Sequence, residues 1–237
     1  MSEVPCASPH PKSPPNDEET LQDLSAKQRQ QLESYVDTLL VANAQFNLTA
    51  VRNKEDAWER HVVESLRLTP LLGSPSNLLD VGTGGGLPGM VLAIARPNIK
   101  FSLLEATEKK VHFLEETSKS LGLQNVRVIR ARAEDAAKPG SELREHFDLV
   151  TARAVAPLRT LLEITIPFLK RGGTLMAVKG MRAEEELRAA TRAMKLLHCT
   201  LSENIRQPSA TVLLIEKNDR TSTKYPRRSG EPKHNPL

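Results

Sequence analysis

The chain has 237 residues, 33 Lys plus Arg against 29 Asp plus Glu, and a formal net charge of +4, enough length for one large or two small domains with a sizeable core. Two cysteines, Cys6 and Cys199, exclude a disulfide framework, and no Cys/His cluster suggests a metal site. No apolar run approaches the roughly 20 residues that span a bilayer and no leader pattern opens the chain, so a cytoplasmic protein without membrane contact is expected.

Residues 1–20 hold five prolines and four acids with few large apolar groups. Such a segment buries too little to offset its ordering entropy and is expected to be disordered. A helical domain is expected over 21–75. Ser25 with Gln28 makes a capping box, and Leu32, Tyr35, Val36, Leu39 and Leu40 recur on one helical face. After Asn47-Leu48-Thr49, Asn53 can cap a second helix whose inward face is Trp58, Val62, Ser65 and Leu66.

From Asn77 short apolar runs alternate with helical stretches. Strands are expected at Leu78–Val81, Phe101–Leu104, Val126–Ile129, Phe147–Thr151, Leu175–Val178 and Val212–Ile215. Helices are expected at Gly89–Ala95, Glu108–Leu121, Leu158–Leu169 and Ala183–Leu197, with Gly122 as a C-cap and Gly172-Gly173 as a break after the third. This alternation implies right-handed βαβ units and an α/β fold, a doubly wound, mostly parallel sheet over 76–216. Residues 217–237 hold six basic residues against two acids, which is the whole excess charge of the chain. With Pro226, Pro232 and Pro236 among them, they read as an unfolded basic tail.

The most informative stretch is Asp80-Val81-Gly82-Thr83-Gly84-Gly85-Gly86-Leu87-Pro88-Gly89, a strand running into a glycine loop, with Pro88 suited to the first turn of the next helix. Gly84, Gly86 and Gly89 satisfy the G-x-G-x-x-G dinucleotide fingerprint. Asp80, Gly82, Gly84 and Gly86 satisfy D-x-G-x-G-x-G, which resembles the first motif of S-adenosylmethionine-dependent methyltransferases. A strand-end carboxylate would repel a pyrophosphate but favour the ammonium of the methionine moiety, so charge selects S-adenosylmethionine over a dinucleotide. Glu105 ends the next strand near the roughly 20-residue offset at which an acid takes ribose hydroxyls. Ala133-Glu134 follow the third strand, where an open α/β sheet would border an adenine.

The fourth strand ends in Thr151-Ala152-Arg153-Ala154 without the [ND]-P-P-[YF] element of enzymes that methylate base amines. Neither cysteine is placed for the nucleophile that carbon methylation of pyrimidines needs. The target should already be nucleophilic, and guanine N7, with a lone pair in the ring plane, fits. Arg153 could anchor the cofactor carboxylate or hold the O6/N7 edge of guanine, or be a strand-end salt bridge. Lys179 could meet phosphate or base. His61, Arg52, Arg60 and Arg67 are candidates for RNA contact.

Together these features resemble the RsmG (GidB) family of small-subunit ribosomal RNA methyltransferases over about residues 25–237. The resemblance rests on Phe46-Asn47-Leu48-Thr49-Ala50-Val51-Arg52, Arg60-His61 with Ser65, Val81-Gly82-Thr83-Gly84, and Gly86-Leu87-Pro88-Gly89. It continues in Lys109-Lys110 with Phe113-Leu114, in Arg153-Ala154, in Leu175 to Gly180, in Lys224-Tyr225-Pro226-Arg227-Arg228, and in Asn235-Pro236-Leu237. It implies a class I methyltransferase fold and methyl transfer from S-adenosylmethionine to guanine N7 in 16S rRNA, without a metal; a monomer is the expected state. It implies cofactor contacts at Gly82, Gly84, Leu87, Glu105, Ala106, Thr107, Ala133, Glu134 and Arg153. Arg153 and Lys179 are then the catalytic candidates, and Arg52, Arg60, His61, Arg227 and Arg228 the RNA-binding ones. Ser209-Ala210-Thr211 departs from the family in lacking a basic residue. The rival readings are a small-molecule methyltransferase, a nonenzymatic RNA-binding protein with a degenerate pocket, and an NAD-dependent oxidoreductase.

Overall fold

A computed structural model describes residues 21–237; the expected disorder over 1–20, and Cys6 with it, lies outside them. Helix α1 (Ala26–Phe46) opens the fold, and its capping box is formed: the Gln28 N–H donates to Ser25 Oγ at 3.3 Å and the Ser25 N–H to Gln28 Oε1 at 2.9 Å. Helix α2 (Lys54–Ala57) is capped by Asn53, whose Oδ1 accepts from the Asp56 N–H at 2.8 Å. It continues through a π-helical stretch, Trp58–Val63, into α3 (Glu64–Leu66), with Val62, Ser65 and Leu66 buried.

The strands are β1 (Asn77–Val81), β2 (Lys100–Glu105), β3 (Val126–Arg130), β4 (Phe147–Arg153), β5 (Leu169–Lys179), β6 (Cys199–Arg206) and β7 (Thr211–Lys217). They form one sheet in the order β3-β2-β1-β4-β5-β7-β6, parallel from β3 through β5 and antiparallel on either side of β7. The connecting helices are α4 (Gly89–Ala95), α5 (Glu108–Ser120), α6 (Ala133–Ala136), α7 (Leu158–Thr165), α8 (Ala183–Ala189) and α9 (Thr191–Leu196). Strand order reverses between β1 and β4, which puts a ligand crevice at their carboxyl ends.

Successive side chains alternate between the faces of a strand. Leu79 and Val81 therefore join an apolar layer with Leu161 and Leu162 of α7 and Leu213 and Ile215 of β7, whereas Leu78, Val212 and Leu214 enter the opposite layer. The helices preceding β1 complete that second face, where Tyr35 and Leu39 share a cluster with Met90, Val91, Phe113 and Leu114.

Four local expectations change. Strand β6 was not expected, because Thr200, Ser202 and Asn204 point outward from an edge strand and leave Cys199, Leu201 and Ile205 too sparse to read as an apolar run. Gly172-Gly173 do not follow a helix but lie inside β5, where Gly172 has φ +78° and the register with β4 shifts. The expected helix over 158–169 ends at Thr165 and tightens to a 3₁₀ turn at Ile166–Phe168, as Pro167 demands. The expected helix over 183–197 breaks at Ala190, where Thr191 Oγ1 donates to the Arg188 carbonyl at 2.9 Å. Gly122 does cap α5: its N–H reaches the Lys119 carbonyl and that of Leu123 the Ser118 carbonyl, each at 3.0 Å.

The largest correction concerns residues 217–237, which are not an unfolded tail. Lys217 is fully buried and donates to Glu145 Oε1 and to the Leu169 carbonyl, both at 2.8 Å. The Arg144 guanidinium donates to the carbonyls of Thr221, Ser222 and Tyr225, so the segment turns back over the body. Arg227 then forks onto the fully buried Glu163 of α7, with Nε to Oε1 at 2.8 Å and Nη2 to Oε2 at 2.6 Å, while its N–H adds a 2.9 Å bond to Oε1. The short helix α10 (Glu231–His234) follows, its Pro232 buried against α7.

Prolines that argue against folding in isolation are accommodated because the ion pair and the carbonyl-to-arginine bonds hold the turns. Arg227→Ala would leave the buried Glu163 carboxylate uncompensated, which typically costs about 3–5 kcal/mol. Urea unfolding should show a loss of that size, and a loss under about 1 kcal/mol would mean that the clasp adds nothing to stability.

Candidate active site

The glycine loop is organised by Asp80, which is fully buried. Its Oδ2 accepts from Thr83 Oγ1 at 2.6 Å and from the Gly89 N–H at 3.0 Å, and its Oδ1 from Thr151 Oγ1 at 2.8 Å. Burial pushes the Asp80 carboxyl up to about 6, while the hydrogen bonds from Thr83, Thr151 and Gly89 pull it down. Asp80 therefore braces the loop and lies outside the cavity, and the expected contact of its carboxylate with a ligand ammonium is not what the geometry supports. From the other side the buried Tyr35 hydroxyl donates to the Gly85 carbonyl at 2.7 Å.

Two cavities open at the carboxyl ends of the strands and share Gly82. One, of about 520 Å³, is lined by Val81, Gly82, Leu104, Glu105, Ala106 and Ala131 to Glu134, together with Thr160, Lys233 and Pro236. Such a volume suits a nucleoside-sized ligand. Glu105 is the polar anchor there: Oε1 accepts from the N–H groups of Ala106 and Thr107 at 2.9 and 2.8 Å, and Oε2 from that of Gly84 at 3.1 Å. A carboxylate has about four acceptor sites, so capacity remains for a ribose hydroxyl. Ala133 and Glu134 start α6, and Glu134 Oε1 accepts from the Gly230 N–H at 3.0 Å.

The second cavity, of about 550 Å³, is lined by the 48–51 segment, Arg60, His61, Glu64, the Gly82–Gly85 loop, Leu87, Lys110, Arg153 and Ser209. Ala154, at φ +56°, turns the chain sharply after β4. Arg153 Nη1 donates to the Arg60 carbonyl at 3.3 Å and stands 3.6 Å from Glu64 Oε2. His61 Nε2 meets Thr49 Oγ1 at 2.7 Å, whereas its buried Nδ1 has no hydrogen-bond partner. Burial, followed by the charge of Arg153, pushes the His61 imidazole down to about 4, so the ring is neutral at physiological pH. Ser209, at the cavity wall, occupies the segment where the family resemblance led to expecting a basic side chain.

The remaining candidates divide by what holds them. Thr107 lines neither cavity and acts through its N–H on Glu105. Lys179 Nζ is held by the Ala156 carbonyl at 2.8 Å and by Glu186 at 2.7 Å, bracing the loop after β4, and it lines a further cavity with Glu64 and Arg153. Arg52 is exposed and ties Asn43 to Asn47. Arg67 is buried and paired with Glu59, and Arg227 is committed to Glu163, so neither presents its guanidinium to RNA. Arg60 and Arg228 are exposed. Cys199 is buried, which pushes its thiol up to about 12 and removes it as a nucleophile.

Residues 28–216 match the family model described as rRNA small subunit methyltransferase G. The chain belongs to this family. Ribosomal RNA small subunit methyltransferase G of Leuconostoc citreum is 38% identical over 223 residues, covering 90% of this chain and 93% of the relative. The protein of the same description from Sorangium cellulosum is 40% identical over 200 residues, covering 83% of each chain. Among solved structures, a SAM-dependent methyltransferase from Aquifex aeolicus superposes with a TM-score of 0.53 at 16% identity, over 68% of this chain and 93% of that one. A ribosomal protein L11 methylase from Lactobacillus delbrueckii subsp. bulgaricus gives 0.50 at 17% identity, over 66% and 80%. Both show the class I methyltransferase fold.

Membership in the rRNA small subunit methyltransferase G family agrees with S-adenosylmethionine as methyl donor, and the residues present fit it: Glu105 retains acceptor capacity within a nucleoside-sized cavity beside a glycine loop. Sequence reasoning missed Tyr35 as a loop brace, Glu163 as the anchor of the C-terminal segment, and Lys233 and Pro236 as cavity walls. Tyr35 was legible only as one apolar position among several. Glu163 gave a signal, an acid in the otherwise apolar run Leu161-Leu162-Glu163-Ile164.

Gly84 has φ +60° and a Cβ there would meet only the Gly82 carbonyl, at 3.9 Å, so its vacancy faces the open cavity. A Cβ on Gly89 would come within 2.4 Å of Leu103 Cδ2 and 2.7 Å of Asp80 Oδ2. Gly84→Val should therefore weaken S-adenosylmethionine binding at least tenfold, about 1.4 kcal/mol, while the chain stays folded. Gly89→Ala should cost about 1–3 kcal/mol of stability through overpacking. Calorimetric titration and urea unfolding on both variants check this; reversed outcomes would exchange the two roles.

Because the native His61 pKa lies below its unfolded value of 6.5, its stabilising contribution is complete above that value and is lost as pH falls toward about 4. The Tm advantage of the native chain over His61→Gln should thus shrink between pH 7.5 and pH 4.5. A gap that stays constant would show the ring to be hydrated.

Proposed function

We propose that the protein transfers a methyl group from S-adenosylmethionine to N7 of a guanine in 16S ribosomal RNA. The observation that carries this reading is the pair of cavities meeting at Gly82. One is built around Glu105 and Ala133-Glu134 for a nucleoside; the other presents Arg60, Lys110 and Arg153 and no cysteine. The relatives' description as ribosomal RNA small subunit methyltransferases supports rRNA as the substrate. Among the described residues no helix is long and apolar enough to cross a membrane. On this reading the chain works as a monomer in the cytoplasm.

When bound, S-adenosylmethionine supplies an electrophilic methyl carbon that the N7 lone pair takes in one displacement, S-adenosylhomocysteine leaving as the C–S bond breaks. No proton has to be removed from N7, which accords with a second cavity holding neutral His61 and no thiol. The chain's own contribution is then orientation and charge. Glu105 fixes the ribose end. Arg153, beside the shared loop, offers a planar fork to the guanine O6 edge or to the cofactor carboxylate. Transfer leaves positive charge on the base, and Glu64 is the carboxylate that lines this cavity to balance it.

The test is transfer from labelled S-adenosylmethionine to small subunits isolated from a strain lacking the modification, with mass mapping of the product. A single new 7-methylguanine is expected, and a methyl group at any other atom, or none, would overturn the reading. Arg153→Ala should lower kcat by about 10²-fold or more without unfolding the chain. Arg153→Lys should recover little, since an ammonium cannot reproduce the fork. Near-normal turnover in the lysine variant would reduce Arg153 to a point charge.

A further inference from the structure

We infer that the C-terminal segment, residues 225–237, forms the outer wall of the nucleoside cavity and is a positioning element for Glu134, so that cofactor affinity depends on it. This rests on the reading that the cavity around Glu105 receives the nucleoside.

Three independent contacts bring the segment there. The Gly230 N–H donates to Glu134 Oε1 at 3.0 Å. Glu134 belongs to a four-residue helix at the surface, whose free carboxylate would sample several rotamers. One backbone donor selects one of them. Gly230 has φ +87°, a left-handed turn conformation that suits glycine. Next, the Thr160 hydroxyl donates to the Pro232 carbonyl at 2.9 Å, and Thr160 itself lines the cavity. The segment thereby covers the helix face that the cavity uses. Last, Lys233 and Pro236 themselves line the cavity that Glu105 and Ala133 also line.

The ion pair with Glu163 keeps this wall closed. Arg227 donates three bonds to that buried carboxylate, and its Nη2 also reaches the Asn235 carbonyl at 2.7 Å, tying both ends of α10 to one guanidinium. The basic residues beyond β7 therefore divide: Arg227 closes the cofactor site, Lys233 lines it, and Arg220, Lys224 and Arg228 are exposed.

The experiment is calorimetric titration with S-adenosylhomocysteine of the full chain, of a chain ending at Ser229, of Lys224→Ala and of Glu105→Ala. The shortened chain keeps Arg227 and Glu163 but loses the Gly230 donor, Lys233 and Pro236. Its affinity should fall at least tenfold, whereas Lys224→Ala should bind as the full chain does. Unchanged affinity in the shortened chain would overturn the inference. Glu105→Ala separates the two levels of the argument. If it binds normally, the nucleoside site lies elsewhere and the underlying reading fails; if it fails to bind while the shortened chain binds normally, only the role of the C-terminal segment falls. Should the shortened chain not fold, hydrogen exchange on the unaltered protein decides. Saturation with S-adenosylhomocysteine should slow exchange across residues 228–237, and exchange there unaffected by the ligand would overturn the inference.

Discussion

Asp80, the penultimate residue of β1, has no solvent exposure, and its two oxygens collect donors from three parts of the chain: Thr83 in the loop, Gly89 at the start of α4, and Thr151 on β4. Burying a carboxylate is costly unless its hydrogen-bonding capacity is met, and here the loop can meet it in one conformation. The requirement that the Gly89 N–H approach Asp80 leaves no room for a Cβ at that position. The same carboxylate bridges β1 to β4 at the point where strand order reverses. The cofactor loop, the strand carrying Arg153 and the mouth of both cavities are thus referred to one buried charge.

Around that node, supports arrive from both ends of the chain. Tyr35 in α1 holds the Gly85 carbonyl, and burial keeps its phenol protonated by raising its pKa far above the usual range. Leu39 of the same helix packs where a Cβ on Gly85 would sit. From the other end, the C-terminal segment reaches Glu134 and Thr160. Both supports are contacts between residues far apart in the chain, so the site is assembled by folding and is not carried by the loop motif alone.

The division of positive charge follows the same logic. Lys179, Lys217, Arg67 and Arg227 are paired with carboxylates of the chain itself, and a lost partner would be most expensive at the fully buried Glu163. The cations that remain toward solvent or a cavity, among them Arg52, Arg60, Lys110 and Arg228, are the ones able to meet phosphate through long-range, salt-dependent attraction. Net charge alone cannot make this distinction.

By itself the sequence determined the alternation of strands and helices, the glycine loop after β1, the acid ending β2 and the family motifs, because each is a local pattern of apolar period, backbone freedom or spacing. Periodicity could not reveal β6, an edge strand with one wet face, nor a bulge at Gly172 inside a strand. It also could not tell which charged groups end up buried. Arg227 in a basic, proline-rich stretch looked like an RNA contact, and Asp80 like a ligand contact. Tertiary structure decided otherwise, since a charge's role depends on the partner within about 4 Å, and those partners, Glu163 for Arg227 and Thr151 for Asp80, lie 64 and 71 residues away along the chain.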